Sequence, residues 1–221
     1  MTKSKEWNWK IANDDINSTW EVPSIESYYL LNRWSNLGFK DFLDLGCGIG
    51  RHTVLFAGNG FNTCGFDISK YGLDKTKEWL DSLNLSANLK EGDMLDLPYK
   101  SDSFDCILCR NVISHQDTLG VEQIIKELYR VLKDNGEVYL TLGSKSTWGF
   151  KQTSWPLIDE NTRLRMEEGP EYKVPHFYAD YDLIKTLFKD FKIEFINHIE
   201  DFYESNGKTY SSFHYHVLIK K

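Results

Sequence analysis

The run Phe42-Leu43-Asp44-Leu45-Gly46-Cys47-Gly48-Ile49-Gly50-Arg51 ends an apolar segment with an acid and three alternate glycines. Glycines at this spacing let a strand turn sharply into a helix and leave no side chains between the main chain and a ligand. The stretch reads as a cofactor-holding strand–turn–helix. Its spacing narrows the ligand. A dinucleotide fingerprint, Gly-x-Gly-x-x-Gly, aims helix-start amides at a pyrophosphate, but here the third glycine comes one residue early and Arg51 stands in its place. Asp44, at the mouth of the loop, would repel a pyrophosphate and suits a ligand carrying an ammonium group.

Short apolar runs near 40–45, 62–66, 87–91, 104–109 and 136–142 alternate with helical segments, which predicts a parallel sheet covered on both faces. Ser24 to Asn36 begins at a capping-type serine and stops at Leu37-Gly38, and Ser69 caps a segment running to Leu83. Helical spacing recurs over 120–132 and 180–188. The last runs, 191–199 and 210–219, read as an antiparallel hairpin around Asn206-Gly207. In such sheets ligands lie beyond the carboxyl ends of the strands, where Asp44, Asp67, Asp93 and Asn111 all fall.

Several separated motifs share one resemblance. Gly65-Phe66-Asp67-Ile68-Ser69 and Glu91-Gly92-Asp93-Met94 end the second and third strands. Leu97-Pro98-Tyr99 and Ser103-Phe104-Asp105 lead into the fourth, which ends at Arg110-Asn111-Val112, and Val131 to Glu137 makes the turn into the fifth. In this order they resemble the class I S-adenosylmethionine-dependent methyltransferases, over roughly residues 40 to 142. The resemblance implies an α/β, Rossmann-like, seven-stranded and mostly parallel sheet of order 3-2-1-4-5-7-6, its last strand antiparallel, with helices on both faces. It implies S-adenosylmethionine as cofactor and S-adenosylhomocysteine as product. The cofactor-binding residues it implies are Asp44, Gly46, Cys47, Gly48, Arg51, Asp67, Ile68, Asp93, Met94 and Asn111. Among these, Asp67 takes the ribose hydroxyls, Asp93 faces the adenine amino group, and Met94 contacts the ring. Arg51 either shapes the methionine carboxylate site or points outward.

The implied activity is in-line methyl transfer to a small-molecule acceptor. A general base is optional; His115 ranks first, then His176 and the His214/His216 pair on one face of the last strand, each with a purely structural alternative. A chain that binds the cofactor but has lost catalysis, serving as a regulator or partner subunit, is the alternative reading. A nicotinamide oxidoreductase is disfavoured by Asp44 and the glycine spacing. No Asn/Asp-Pro-Pro-Tyr/Phe run follows the fourth strand, so adenine N-methylation in nucleic acid is not expected. The segment from Gly169-Pro170 to Tyr178 and the last strand look similar to methyltransferases of the ubiquinone pathway and of tellurite resistance.

At 221 residues and 41% hydrophobic, the chain suits one domain over residues 1–221. No stretch approaches the roughly 20 apolar residues of a membrane span, and Met1 to Trp7 lacks a signal-peptide core, so a cytoplasmic protein without a membrane partner is expected. A net charge of −7 leaves no basic surplus for nucleic acid. Cys47 lies in the loop, Cys64 in a strand, and Cys106 and Cys109 on opposite faces of another, so free thiols are expected and no metal site. An arsenic-methylating role, which needs convergent cysteines, is weakened by the same parity. Monomer and homodimer both remain open.

Two segments lie outside the shared core. The arm, residues 1–23, carries Trp7, Trp9 and Trp20, expected over the cofactor pocket or else as a staple to the sheet. Residues 143–179 are too long for a connection of roughly 2 to 6 residues and read as a substrate-side insertion or lid. Its Arg163 and Arg165 either meet a substrate carboxylate or pair with Asp159, Glu160, Glu167 and Glu168 along a solvated helix.

Overall fold

Successive residues of the central strands face opposite helical layers, the period-two signature of a strand. In β1 (Asp41–Leu45) Phe42 enters one apolar cluster while Leu43 and Leu45 enter another, and in β4 (Phe104–Cys109) Cys106 and Leu108 separate in the same way from Ile107 and Cys109. The first cluster is closed by Leu30 and Trp34 of α1 (Ile25–Asn36) and Phe56 of α2 (Arg51–Gly58). The second is closed by Val121, Ile124, Leu128 and Val131 of α4 (Thr118–Val131) and Ile184 of α5 (Tyr181–Leu187). Burying each large apolar side chain contributes about 1.5–3 kcal/mol, so both faces of the sheet are held. These contacts come from a computed structural model that describes residues 4–9, 20–205 and 208–221.

The remaining elements are β2 (Asn62–Asp67), α3 (Lys70–Ser82), β3 (Asn88–Glu91), β5 (Leu132–Ser144), β6 (Leu157–Asp159), β7 (Thr162–Leu164), β8 (Pro175–Ala179), β9 (Lys192–Ser205) and β10 (Lys208–Lys220). Strands β3-β2-β1-β4-β5 are parallel neighbours in that order. Next to β5 comes β10, antiparallel to it and to β9. The order 3-2-1-4-5-7-6 with an antiparallel last strand is thus met. Residues Asn206 and Gly207, the expected hairpin turn, lie outside the described residues, as do 1–3 and 10–19 of the arm.

Local signals differ in one detail. Ser69 does cap α3, its hydroxyl accepting from the Gly72 amide, but the Ser24 hydroxyl makes no cap; its amide donates instead to His52 Nε2 at 3.2 Å. The segment after β5 is folded. Gly143 and Ser144 of β5 pair parallel with Tyr178 and Ala179 of β8, and β8-β7-β6 continue antiparallel. Arg163 therefore sits on a strand, not a solvated helix, and donates to the carbonyls of Phe150 and Trp155. All four cysteines are free. No described helix is long and apolar enough to cross a membrane.

Candidate active site

Beyond the carboxyl ends of β1, β2 and β4 lies a cavity of about 880 Å³, its open mouth included. The glycine loop forms its floor, with Gly46, Gly48 and Gly50 at φ +74°, +56° and +97°, a left-handed backbone that glycine alone adopts without strain. The loop is also closely approached: a Cβ on Gly46 would lie 2.3 Å from the Val112 side chain, and one on Gly48 2.3 Å from the Trp9 ring. Asp67, ending β2, accepts the backbone N–H of Gly48 on one carboxylate oxygen and that of Ser69 on the other, both at 2.8 Å. Burial pushes its carboxyl up. Asp93 accepts the Ser4 hydroxyl at 2.8 Å and the Leu95 amide at 3.0 Å.

Arg51 opens α2 and faces the cavity, as does Arg110 at the end of β4. Burial, with Arg110 nearby, lowers the Arg51 guanidinium to about 10. Arg110 Nε is buried without a hydrogen-bond partner, 3.8 Å from Glu26. Cys47, Ile68, Met94 and Asn111 also line the cavity. Asp44 does not. It lies on the face of β1 that carries Phe42, turned under α2, where it accepts the Thr53 hydroxyl at 2.7 Å, and burial raises its carboxyl to about 7.

A second cavity shares Trp7, Trp20, Asn111 and His115 with the first, and its far wall carries Trp148, Trp155, Arg165, Glu171, His176 and Tyr178. Asn111 is held at φ +59° with its amide donating to Thr141 Oγ1 at 2.8 Å, while that hydroxyl donates to Asn111 Oδ1 at 2.9 Å. His115, in the loop after β4, and His176, on β8, approach the two oxygens of Glu171 at 3.5 and 3.4 Å. His176 Nδ1 lies 3.1 Å from the Val174 carbonyl. Arg165 pairs with Glu171 and, at 2.8 Å, with Glu167. Burial would raise the Glu171 carboxyl, but both imidazoles outweigh it and hold the group well below the usual range. The arm clasps the same loop, Lys5 donating to the Tyr172 carbonyl and the Asn8 amide to that of Pro170 at 3.2 Å.

Residues 42–136, which carry the glycine loop, Asp67, Asp93 and Asn111, match the family described as a methyltransferase domain. By that match this segment is a methyltransferase domain. The chain is 34% identical over 137 residues to a demethylmenaquinone methyltransferase of Lactobacillus johnsonii, covering 56% of this chain and 55% of that one. It spans about half the length of the curated relatives it matches first. Its fold is that of an S-adenosylmethionine-dependent methyltransferase from Methanosarcina mazei (TM-score 0.66, 23% identity, 82% of this chain and 92% of that one). A Burkholderia thailandensis 1,6-didemethyltoxoflavin-N1-methyltransferase, solved with 1,6-didemethyltoxoflavin and S-adenosylhomocysteine, shares the fold too (TM-score 0.65, 13% identity, 95% and 82%).

The methyltransferase cofactor suits what the first cavity offers: a loop with no room for side chains, acids at the ends of β2 and β3, and an unpartnered Arg110 Nε for an anionic end. Of the histidines weighed from sequence, His115 and His176 meet around Glu171 and His214 lines the second cavity, whereas His216 is buried against the Tyr139 hydroxyl. Glu171 and Arg110 are the residues that sequence reasoning passed over. The first follows Gly169-Pro170, in a stretch weighed only for its aromatic residues and His176; the second adjoined Asn111, already chosen.

Proposed function

We propose that this chain transfers a methyl group from S-adenosylmethionine to a small-molecule acceptor seated in the second cavity. The observation that carries the reading is the shared wall: Asn111 and His115 border both cavities, so a cofactor in one and an acceptor in the other meet there. A demethylmenaquinone methyltransferase among the relatives is in keeping with a small acceptor.

Asp67 would hold the ribose hydroxyls and Asp93 the adenine amino group. Arg51 and Arg110 would face the methionine carboxylate. Asp44, behind the loop, would act through the Thr53 bond that ties β1 to α2 rather than by contact. When bound there, S-adenosylmethionine would supply an electrophilic methyl group on a positive sulfur. The protein's part is alignment. Trp148 and Trp155, ring centroids 5.4 Å apart, give the second cavity an apolar wall, and His115 and His176 stand where the acceptor's nucleophile and its proton would be. Trp7 stacks on Trp9 at 5.2 Å and meets Trp20 edge-on at 4.8 Å, a roof that would keep water from the reacting atoms.

Calorimetric titration with S-adenosylmethionine, S-adenosylhomocysteine and NAD in parallel tests this, followed by a screen of acceptors for S-adenosylhomocysteine formation. Micromolar binding of the first two with turnover is expected. Binding of NAD alone would overturn the reading.

A further inference from the structure

The ligand-capable atoms of His115, Glu171 and His176 lie within 4.8 Å of one another. The Val174 carbonyl only accepts, so it is met by a proton on His176 Nδ1, while Nε2 faces a Glu171 oxygen 3.4 Å away. An imidazole nitrogen and a carboxylate oxygen so placed share a positive centre, which a proton or a metal ion can supply. Arg165 meets the Glu171 oxygen that His176 faces and pairs through its other terminal nitrogen with Glu167, so the second Glu171 oxygen, facing His115, is the one without an arginine. Ligand atoms about 2.0–2.1 Å from a tetrahedral ion stand about 3.3–3.4 Å apart; each imidazole stands at about that distance from its own Glu171 oxygen, and the three ligand atoms lie within 4.8 Å of one another.

We propose that His115, Glu171 and His176 bind one divalent transition ion of the zinc type at the wall between the two cavities, with the acceptor's hydroxyl or thiol as a further ligand. Two imidazoles and one carboxylate form a borderline donor set, unlike the all-oxygen sets of calcium and magnesium. Three protein ligands leave a position open, as in catalytic rather than structural sites. The Val174 carbonyl behind His176 is the kind of outer contact that orients a ligating imidazole. The acceptor's role here rests on the function proposed above. Bound to the ion, its O–H or S–H becomes more acidic; the proton passes to solvent, and the freed lone pair is the one that attacks the methyl.

Metal-free protein of the 221-residue chain titrated with Co²⁺ tests the site. One equivalent should bind per chain with visible ligand-field bands, no thiolate-to-cobalt charge-transfer band, and displacement by Zn²⁺. Glu171→Gln and His176→Ala should each weaken Co²⁺ binding more than tenfold, with folding checked by circular dichroism, while His198→Ala keeps it. Absence of ligand-field bands, thiolate bands, or binding that survives in both variants overturns the proposal, and wild-type stoichiometry decides if a variant fails to fold. S-adenosylmethionine titration of the same samples separates the two ideas. Cofactor binding without cobalt uptake removes only the ion; cobalt uptake without cofactor binding counts against the proposed reaction and leaves the site standing.

Discussion

The Asp67 carboxylate accepts the backbone N–H of Gly48 at 2.8 Å, so the side chain assigned to the ribose also fastens the glycine loop. Asp67→Ala is expected to weaken S-adenosylmethionine binding by about 2–3 kcal/mol, roughly 30- to 150-fold, through lost charge-assisted bonds. Asp67→Asn keeps a neutral oxygen for Gly48 and should restore melting temperature more than affinity. Calorimetry with thermal unfolding checks both; unchanged affinity in the alanine variant would take Asp67 out of the site.

Gly46 and Gly38 share a left-handed φ, at +74° and +76°, but only Gly46 is crowded, a Cβ there lying 2.3 Å from Val112. Gly46→Ala should cost about 1–3 kcal/mol and lower cofactor affinity, because Val112 moves into the cavity it lines. Gly38→Ala, with nothing within 4 Å of its added carbon, should cost only the backbone part, about 1 kcal/mol, and leave binding unchanged. Equal losses in the two variants would show that the crowding at Val112 is not felt.

Asp44 has its carboxyl raised by burial from 3.8 to about 7. The folded state therefore holds the proton more tightly than the unfolded one, so this contribution to stability is full below pH 3.8 and is lost as pH rises through about 7. Relative to Asp44→Asn, the wild type should lose up to about 4 kcal/mol across that window. Melting curves of both proteins from pH 4 to 8 measure the difference; parallel curves would place the charged form at ease in its site, with Thr53 compensating.

Glu137, 2% exposed, accepts two bonds from the Arg33 guanidinium, at 2.8 and 2.6 Å, and one from the Trp34 indole at 2.9 Å. Glu137→Ala leaves a buried N–H and a partly buried cation without their acceptor and should destabilise by about 3 kcal/mol. Glu137→Gln, which still accepts from Trp34, should lose less. Urea unfolding gives the comparison, and because this cluster lies away from both cavities, cofactor affinity should not change in the glutamine variant.

Much of the first cavity's lining was legible because each of its parts is local. Gly46, Gly48 and Gly50 are spaced for one turn, and Asp67, Asp93 and Asn111 each end a strand, which a parallel sheet brings to a common edge. Asp44 stands outside that lining, and the reason was already in the chain: residues two apart share a strand face, and Phe42 belongs to the cluster under α2, so Asp44 turns there as well.

By itself the sequence determined the alternation of strands and helices, the left-handed loop and the acids at the strand ends, since these follow from spacing and from the conformational freedom of single residues. The tertiary structure alone decided that residues 143–179 fold as β6, β7 and β8, and that Glu171 comes to rest between His115 and His176. No local pattern encodes that meeting. It depends on β8 pairing with the end of β5, a long-range contact that carries one loop of the insertion over the loop after β4.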